Sequence, residues 1–173
     1  KLYADVRKGH KSDIKRGRLY DVKIYTKHNI QDEMIELYKS IYEKDAGRVT
    51  RNSELYRYYF EFIKNGKGLL AFGSIDGQEV GVVVVTIYKN TAYYSSYGEL
   101  EEELNHVPIG HILQWEIINY LKEHGIEFYE MGEQVFGETH YSNPDRKLIN
   151  ISNFKRGFGG YTVPFWRGVK KYK

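Results

Sequence analysis

A mixed α/β sheet is what this sequence predicts. Three β-rich runs follow one another between residues 68 and 97, and two amphipathic helical patterns precede them. A strongly apolar helix then leads through a single glycine into a further short strand. Runs in direct succession read as an antiparallel meander. The helix-linked strand reads as a parallel crossover beside it. A length of 173 residues suits one domain, 1–173, with a hydrophobic core, and the sequence has no repeat or low-complexity linker.

Residues 5–16 are polar and basic and predict a helix leading into a strand at Leu19–Tyr25. Met34, Leu37, Tyr38, Ile41 and Tyr42 recur at helical spacing, with Asp32 and Glu33 at the start. Leu55, Tyr56, Tyr59, Phe60 and Ile63 form a second such stripe, with Ser53 as the expected N-cap and Asn65-Gly66 as the stop. Gly68–Ile75 and Val80–Tyr88 are joined at Asp76-Gly77, a hairpin signal. Ala92–Tyr97 is the third run. The run Val82–Val85 does not alternate, so that strand is expected to be covered on both faces.

Pro108 precedes a helix over Ile109–His124, apolar around much of its circumference, with Trp115 expected in the core. Ile126–Met131 is the next strand, 132–147 a loop, Ile149–Gly157 a helix, and Tyr161–Trp166 a last strand closing the sheet.

Composition narrows the function classes. No apolar run approaches the ~18–20 residues that span a bilayer. Cysteine is absent, so there is neither a disulfide framework nor a thiol nucleophile, and a reducing cytoplasm is the expected compartment. The chain opens on Lys1 rather than Met, as expected of a fragment of a longer protein. The net charge of +3 is segregated. Residues 1–27 hold nine Lys/Arg against three acids, 146–173 eight against none, and 28–145 nine against 20. Basic ends of this kind suit phosphate groups, on a nucleotide-linked precursor, on tRNA or at a membrane surface contacted peripherally. Lys11 and Arg16, with Lys15 and Arg18, are the candidates; the alternative is a solvated basic helix. His106 and His111 have neither cysteines nor a His-Glu-x-x-His motif near them, so no metal site is expected. There is no Gly-x-Ser-x-Gly elbow and no phosphate-loop consensus.

One ordered set of motifs is more specific. Trp115-Glu116 on a helix is followed by Gly125, then Phe128-Tyr129-Glu130-Met131-Gly132, a loop, and Phe154-Lys155-Arg156-Gly157-Phe158-Gly159-Gly160. Over residues 105–165 this resembles the C-terminal half of the Fem-type aminoacyl transferases, a branch of the GNAT superfamily; Glu130 stands where that family commonly has Asp. The resemblance implies a GNAT acyl-transferase fold, with antiparallel meander, central helix and two splayed parallel strands, here Ala92–Tyr97 and Ile126–Met131. It also implies a two-domain relative, of which this chain would be the C-terminal GNAT domain.

The implied activity is amide formation on an amine of a small or lipid-linked cell-envelope precursor. Such a transfer needs the amine aligned, its proton taken up and the carbonyl charge stabilised. The resemblance assigns the last task to Lys155, with Phe154, Arg156 and Gly132 shaping the substrate site. Glu133 is the first candidate base and Glu130 the second; the acceptor losing its proton to water is the alternative. Tyr93 and Tyr97, on one face of the first splayed strand by simple alternation, are candidates to position substrate, with sheet packing as the alternative. CoA-dependent members carry a glycine-rich pyrophosphate turn where this chain reads His106-Val107-Pro108-Ile109-Gly110-His111. Only Gly110 there offers a close backbone approach, beside His111, and Pro108 lacks an N–H. Aminoacyl-tRNA is therefore the expected donor and acyl-CoA, acting on an amino sugar, the alternative; no tightly bound cofactor is expected. A non-catalytic RNA- or partner-binding module is the rival of a different class.

Overall fold

The computed structural model describes residues 2–104, 106–139, 143–165, 168 and 170. Its elements, in chain order, are α1 (Leu2–Asp5), α2 (Lys8–Arg16), β1 (Asp21–Tyr25), α3 (Met34–Ala46), α4 (Ser53–Lys64), β2 (Gly68–Ile75), β3 (Gln78–Tyr88), β4 (Thr91–Glu99), α5 (Ile109–Glu123), β5 (Phe128–Glu130) and α6 (Arg146–Arg156). Contacts divide the chain into two compact units, Lys8–Gly132 and Lys1–Arg7 with Glu133–Lys173.

The larger unit holds a five-stranded sheet in the order β1-β2-β3-β4-β5. Neighbours β1 to β4 are antiparallel, and β5 joins β4 in parallel through three pairs, Thr91 with Phe128, Ala92 with Tyr129 and Tyr93 with Glu130. The meander and the parallel crossover are those the sequence predicts. Asp76 and Gly77 both take positive φ, as a tight hairpin turn demands.

Valines 80 and 82–85 are all fully buried because both faces of β3 are covered. On one face, Val82, Val84, Leu70 and Phe72 pack with Tyr38 and Ile41 of α3 and Tyr56, Phe60 and Ile63 of α4. On the other lies α5. Gly73 and Gly81 are register partners on β2 and β3, and a methyl group on either would come within 2.5–2.9 Å of Ile109. The missing side chains are thus the seat that lets α5 approach the sheet. Leu113, fully buried, fills that seat beside Ile109. Leu113→Ala is expected to cost about 2–5 kcal/mol, read as a lower midpoint in urea unfolding at unchanged slope.

Three expectations are corrected here. Asn52, not Ser53, caps α4: its side-chain oxygen accepts from the Glu54 N–H at 3.0 Å. Trp115 is half-buried, and the polar residue beside it, Gln114, is the one in the core. Residues 161–165 form no strand, and Tyr161 and Phe165 are exposed; Trp166 lies outside the described residues. Gly159 and Gly160 take consecutive positive φ values of 87° and 83°, breaking the extended path before that segment begins.

In the smaller unit, α6 starts earlier than its apolar pattern suggests, because Asp145 caps it by accepting from the Leu148 N–H at 2.8 Å. Arg7 ties the N-terminal segment to it, its N–H bonding the Gly157 carbonyl at 2.9 Å and its guanidinium the Asn153 carbonyl at 3.0 Å.

Candidate functional site: the fork between two parallel strands

Strand β4 runs on to Glu99, but its pairing with β5 stops at Tyr93. From residue 94 onward, the edge of β4 on that side has no strand partner among the described residues. Every second peptide group there directs its N–H and C=O into the gap.

Side chains reach this fork because of a bulge. Val84 pairs with Ser96 and Val85 with Tyr94, which leaves Ser95 as an extra residue. Pairing fixes the faces. Val83 and Val85 look toward α5, so their partners Tyr97 and Tyr94 do too, as does Glu99, opposite Gly81. Tyr129 shares that face and donates to Gln114 Oε1 of α5 at 2.8 Å. Tyr93 pairs with Thr86, on the opposite face, and is exposed. Tyr93 and Tyr97 therefore do not share a face, as strict alternation would have it: the surplus Ser95 lies between them.

The chemistry of the fork centres on Glu99. Its carboxylate accepts a hydrogen bond from the Tyr97 hydroxyl. Burial raises the Glu99 pKa above the ordinary carboxylate value; the Tyr97 bond lowers it in part, while Asp45 and Glu101 raise it further. Tyr97 is itself pushed well above a normal phenol by burial and then by the charge of Glu99, so it stays a neutral donor at neutral pH. Tyr94 and Tyr129 are raised first by burial as well. Glu99 is accordingly a carboxylate that holds a proton more readily than an ordinary one, beside Tyr97 on the α5 face of β4. Sequence reasoning missed it because it opens the acidic run 99–103, which resembles a solvated loop.

The other sequence candidates fall in three places. Gly132 follows β5 with φ 79° and is exposed, and Glu130, paired with Tyr93, is exposed on the face away from α5. At the start of α5, Gly110 is buried, which leaves little of its backbone open to a ligand. His111 Nε2 lies 3.5 Å from Asp13 Oδ2 of α2, with the buried His10 ring set edge-on at 4.4 Å. Pro108 is the N-cap and offers no side-chain hydrogen bond. On α2, Arg16 is paired with Asp13 and Lys11 is half-buried.

In the smaller unit, Phe154 and Phe158 meet edge to face at 5.2 Å and pin the end of α6. Lys155 is half-buried, and its ammonium lies 3.5 Å from the carbonyl of Glu133. Burial lowers the Lys155 pKa, against a smaller opposing effect of the Glu133 charge. Glu133 is exposed. Arg156 stacks over Phe136 at 4.4 Å and donates to Asn153 Oδ1 at 2.6 Å.

The sequence model described as Acetyltransferase (GNAT) domain matches residues 1–143. The chain belongs to the GNAT acetyltransferase domain family. It is an acyltransferase domain of that family. Solved structures share the GNAT fold at low identity. FemX superposes with a TM-score of 0.72 at 13% identity, covering 92% of this chain and 55% of its own. L-PGS from Bacillus licheniformis gives 0.59 at 14%, covering 87% and 51%. The aminoglycoside acetyltransferase meta-AAC0020 from an uncultured soil metagenomic sample, solved with sisomicin, gives 0.58 at 12%, covering 88% and 98%. This GNAT chain thus spans about half the length of FemX (55%), with which it shares the fold. No curated protein sequence matches it. Among the described residues no helix is long and apolar enough to cross a membrane.

Proposed function

We propose that this domain forms an amide by moving an activated acyl group onto an amine of a cell-envelope precursor, with an aminoacyl-tRNA as donor. The observation that carries the reading is Glu99, a carboxylate of raised pKa on the α5 face of β4, beyond the last rung that β4 shares with β5. In the proposed step Glu99 takes one proton from the acceptor ammonium. The amine attacks the ester carbonyl, a C–N bond forms and the C–O bond to the ribose breaks; a second proton passes from the attacking nitrogen to the departing oxygen, and Glu99 releases its own to solvent. Peptide N–H groups of β4 beyond its ladder with β5 are suited to hold the carbonyl oxygen as charge builds on it.

The start of α5 favours this donor over CoA. A pyrophosphate held at a helix N-terminus needs several open N–H groups, whereas Pro108 supplies none and Gly110 is buried. The domain would act in the cytoplasm as one half of a longer Fem-like protein, its basic segments contacting phosphates of tRNA or of the membrane surface. A second reading, acyl-CoA-dependent transfer to an amino sugar, has its own support: the aminoglycoside acetyltransferase meta-AAC0020 is matched over 98% of its length.

The two readings part in one assay. Alanyl-tRNA and acetyl-CoA are each offered with glucosamine and with a lysine-containing muramyl peptide, and amide product is measured by mass spectrometry. Product from alanyl-tRNA and the peptide is expected. Product from acetyl-CoA and glucosamine alone would replace the first reading by the second.

A further inference from the structure

Gln114 is the anomaly of the central helix. It is fully buried, on a helix whose other buried residues are Ile109, Gly110, Ile112, Leu113, Ile117 and Leu121. An amide in such a place costs stability unless its hydrogen bonds are made, and an apolar residue of similar size would fill the space without that cost. Its oxygen accepts from the Tyr129 hydroxyl at 2.8 Å. Among the described residues its nitrogen has no hydrogen-bond partner, so the Tyr129 bond is the one the buried amide makes there. Tyr129 stands on β5 within the last three pairs of the parallel ladder, and Tyr94 is the first residue of β4 beyond them. One side chain therefore ties the β5 prong to the central helix at the point where the strands part.

We propose that Gln114 is a positioning residue, a bracket whose amide ties Tyr129 of β5 to the central helix and so fixes where the β5 prong stands beside the gap in which acyl transfer takes place. The catalytic half of this inference rests on the functional reading above; the geometric half stands without it. Gln114 touches no reacting atom in this scheme and acts through Tyr129. A gap held wrong by a fraction of an ångström misaligns donor and amine, which lowers turnover more than it weakens binding.

The test uses Gln114→Leu and, independently, Tyr129→Phe. Amide hydrogen exchange is followed at Phe128–Glu130 and, as a reference, at Val82–Val85. For both variants, protection of the β5 amides is expected to fall about tenfold, the equivalent of one hydrogen bond, with the β3 reference unchanged. The thermal midpoint of Gln114→Leu should match or exceed that of the parent, because the replacement is apolar. In the transfer assay kcat should drop about 10- to 100-fold with donor KM little altered. The double variant should lose no more than either single one, since both remove the same tie. Exchange at β5 that stays at the parent level in both variants overturns the bracket, as would losses in kcat that multiply in the double variant. A parent protein that transfers from neither donor overturns the functional reading instead, and exchange alone then decides whether the bracket exists.

Discussion

Glu99→Gln is expected to abolish most amide formation, lowering kcat/KM about 10²- to 10³-fold, the range in which a positioned general base operates, while the fold is kept. Glutamine preserves the shape and can still accept from Tyr97, so circular dichroism and the thermal midpoint should hardly move. The pH profile gives the sharper check. A base works only when ionised, so kcat/KM should climb as pH rises through the Glu99 pKa. Burial raises that pKa, which places the climb above the ordinary carboxylate range. Tyr97 opposes the rise, so Tyr97→Phe should move the climb to still higher pH. Asp45 adds to it, so Asp45→Asn should move it lower. A profile indifferent to all three changes would remove Glu99 from the mechanism and leave the amine to lose its proton to water.

Lys155→Ala is the second large effect expected, about a hundredfold fall in kcat with the midpoint of unfolding nearly unchanged. The Fem-type pattern implies that this ammonium stabilises the oxygen on which charge develops. Its setting is consistent with such a task. Phe154 and Phe158 pin the end of α6, and Lys155 is kept half-buried at a lowered pKa, so a cation is held partly out of water. Because the ammonium is effective only when protonated, activity should decline as pH rises through that lowered value. That alkaline decline should disappear in the alanine variant. Lys155→Arg keeps the charge but not the compact geometry, and partial recovery is expected. Full activity in Lys155→Ala would show that the residue is one more surface cation.

How much of this could be read in advance differs from element to element, for physical reasons. The four-valine stretch and the Asp76-Gly77 turn are local signals that nothing tertiary overrides, so β2, β3 and their pairing were legible. The parallel crossover was legible because a buried helix that ends at Gly125, three residues before Phe128, leaves its strand few other places to go. The faces of β4 were not, since a serine bulge carries no sequence signature and shifts the alternation by one. Glu99 was hidden by its acidic neighbours, and only pairing with Gly81 shows that it turns inward. Gln114 did carry a signal, a lone amide on the buried stripe of an apolar helix. The strand expected at Tyr161–Trp166 failed because aromatic and β-branched residues mark a strand only where a neighbour is available to pair.

The single surplus residue at Ser95 has a larger consequence than its size suggests. It falls two positions past the last rung shared by β4 and β5, where an extra residue bends a strand and tightens its twist. Divergence is thereby written into the main chain, before any substrate arrives to wedge the strands apart. A ladder that would otherwise zip onward is made to end as a Y. Its open arm leaves β4 without a strand partner beyond Tyr93 among the described residues, a length of edge on which an extended chain could lie.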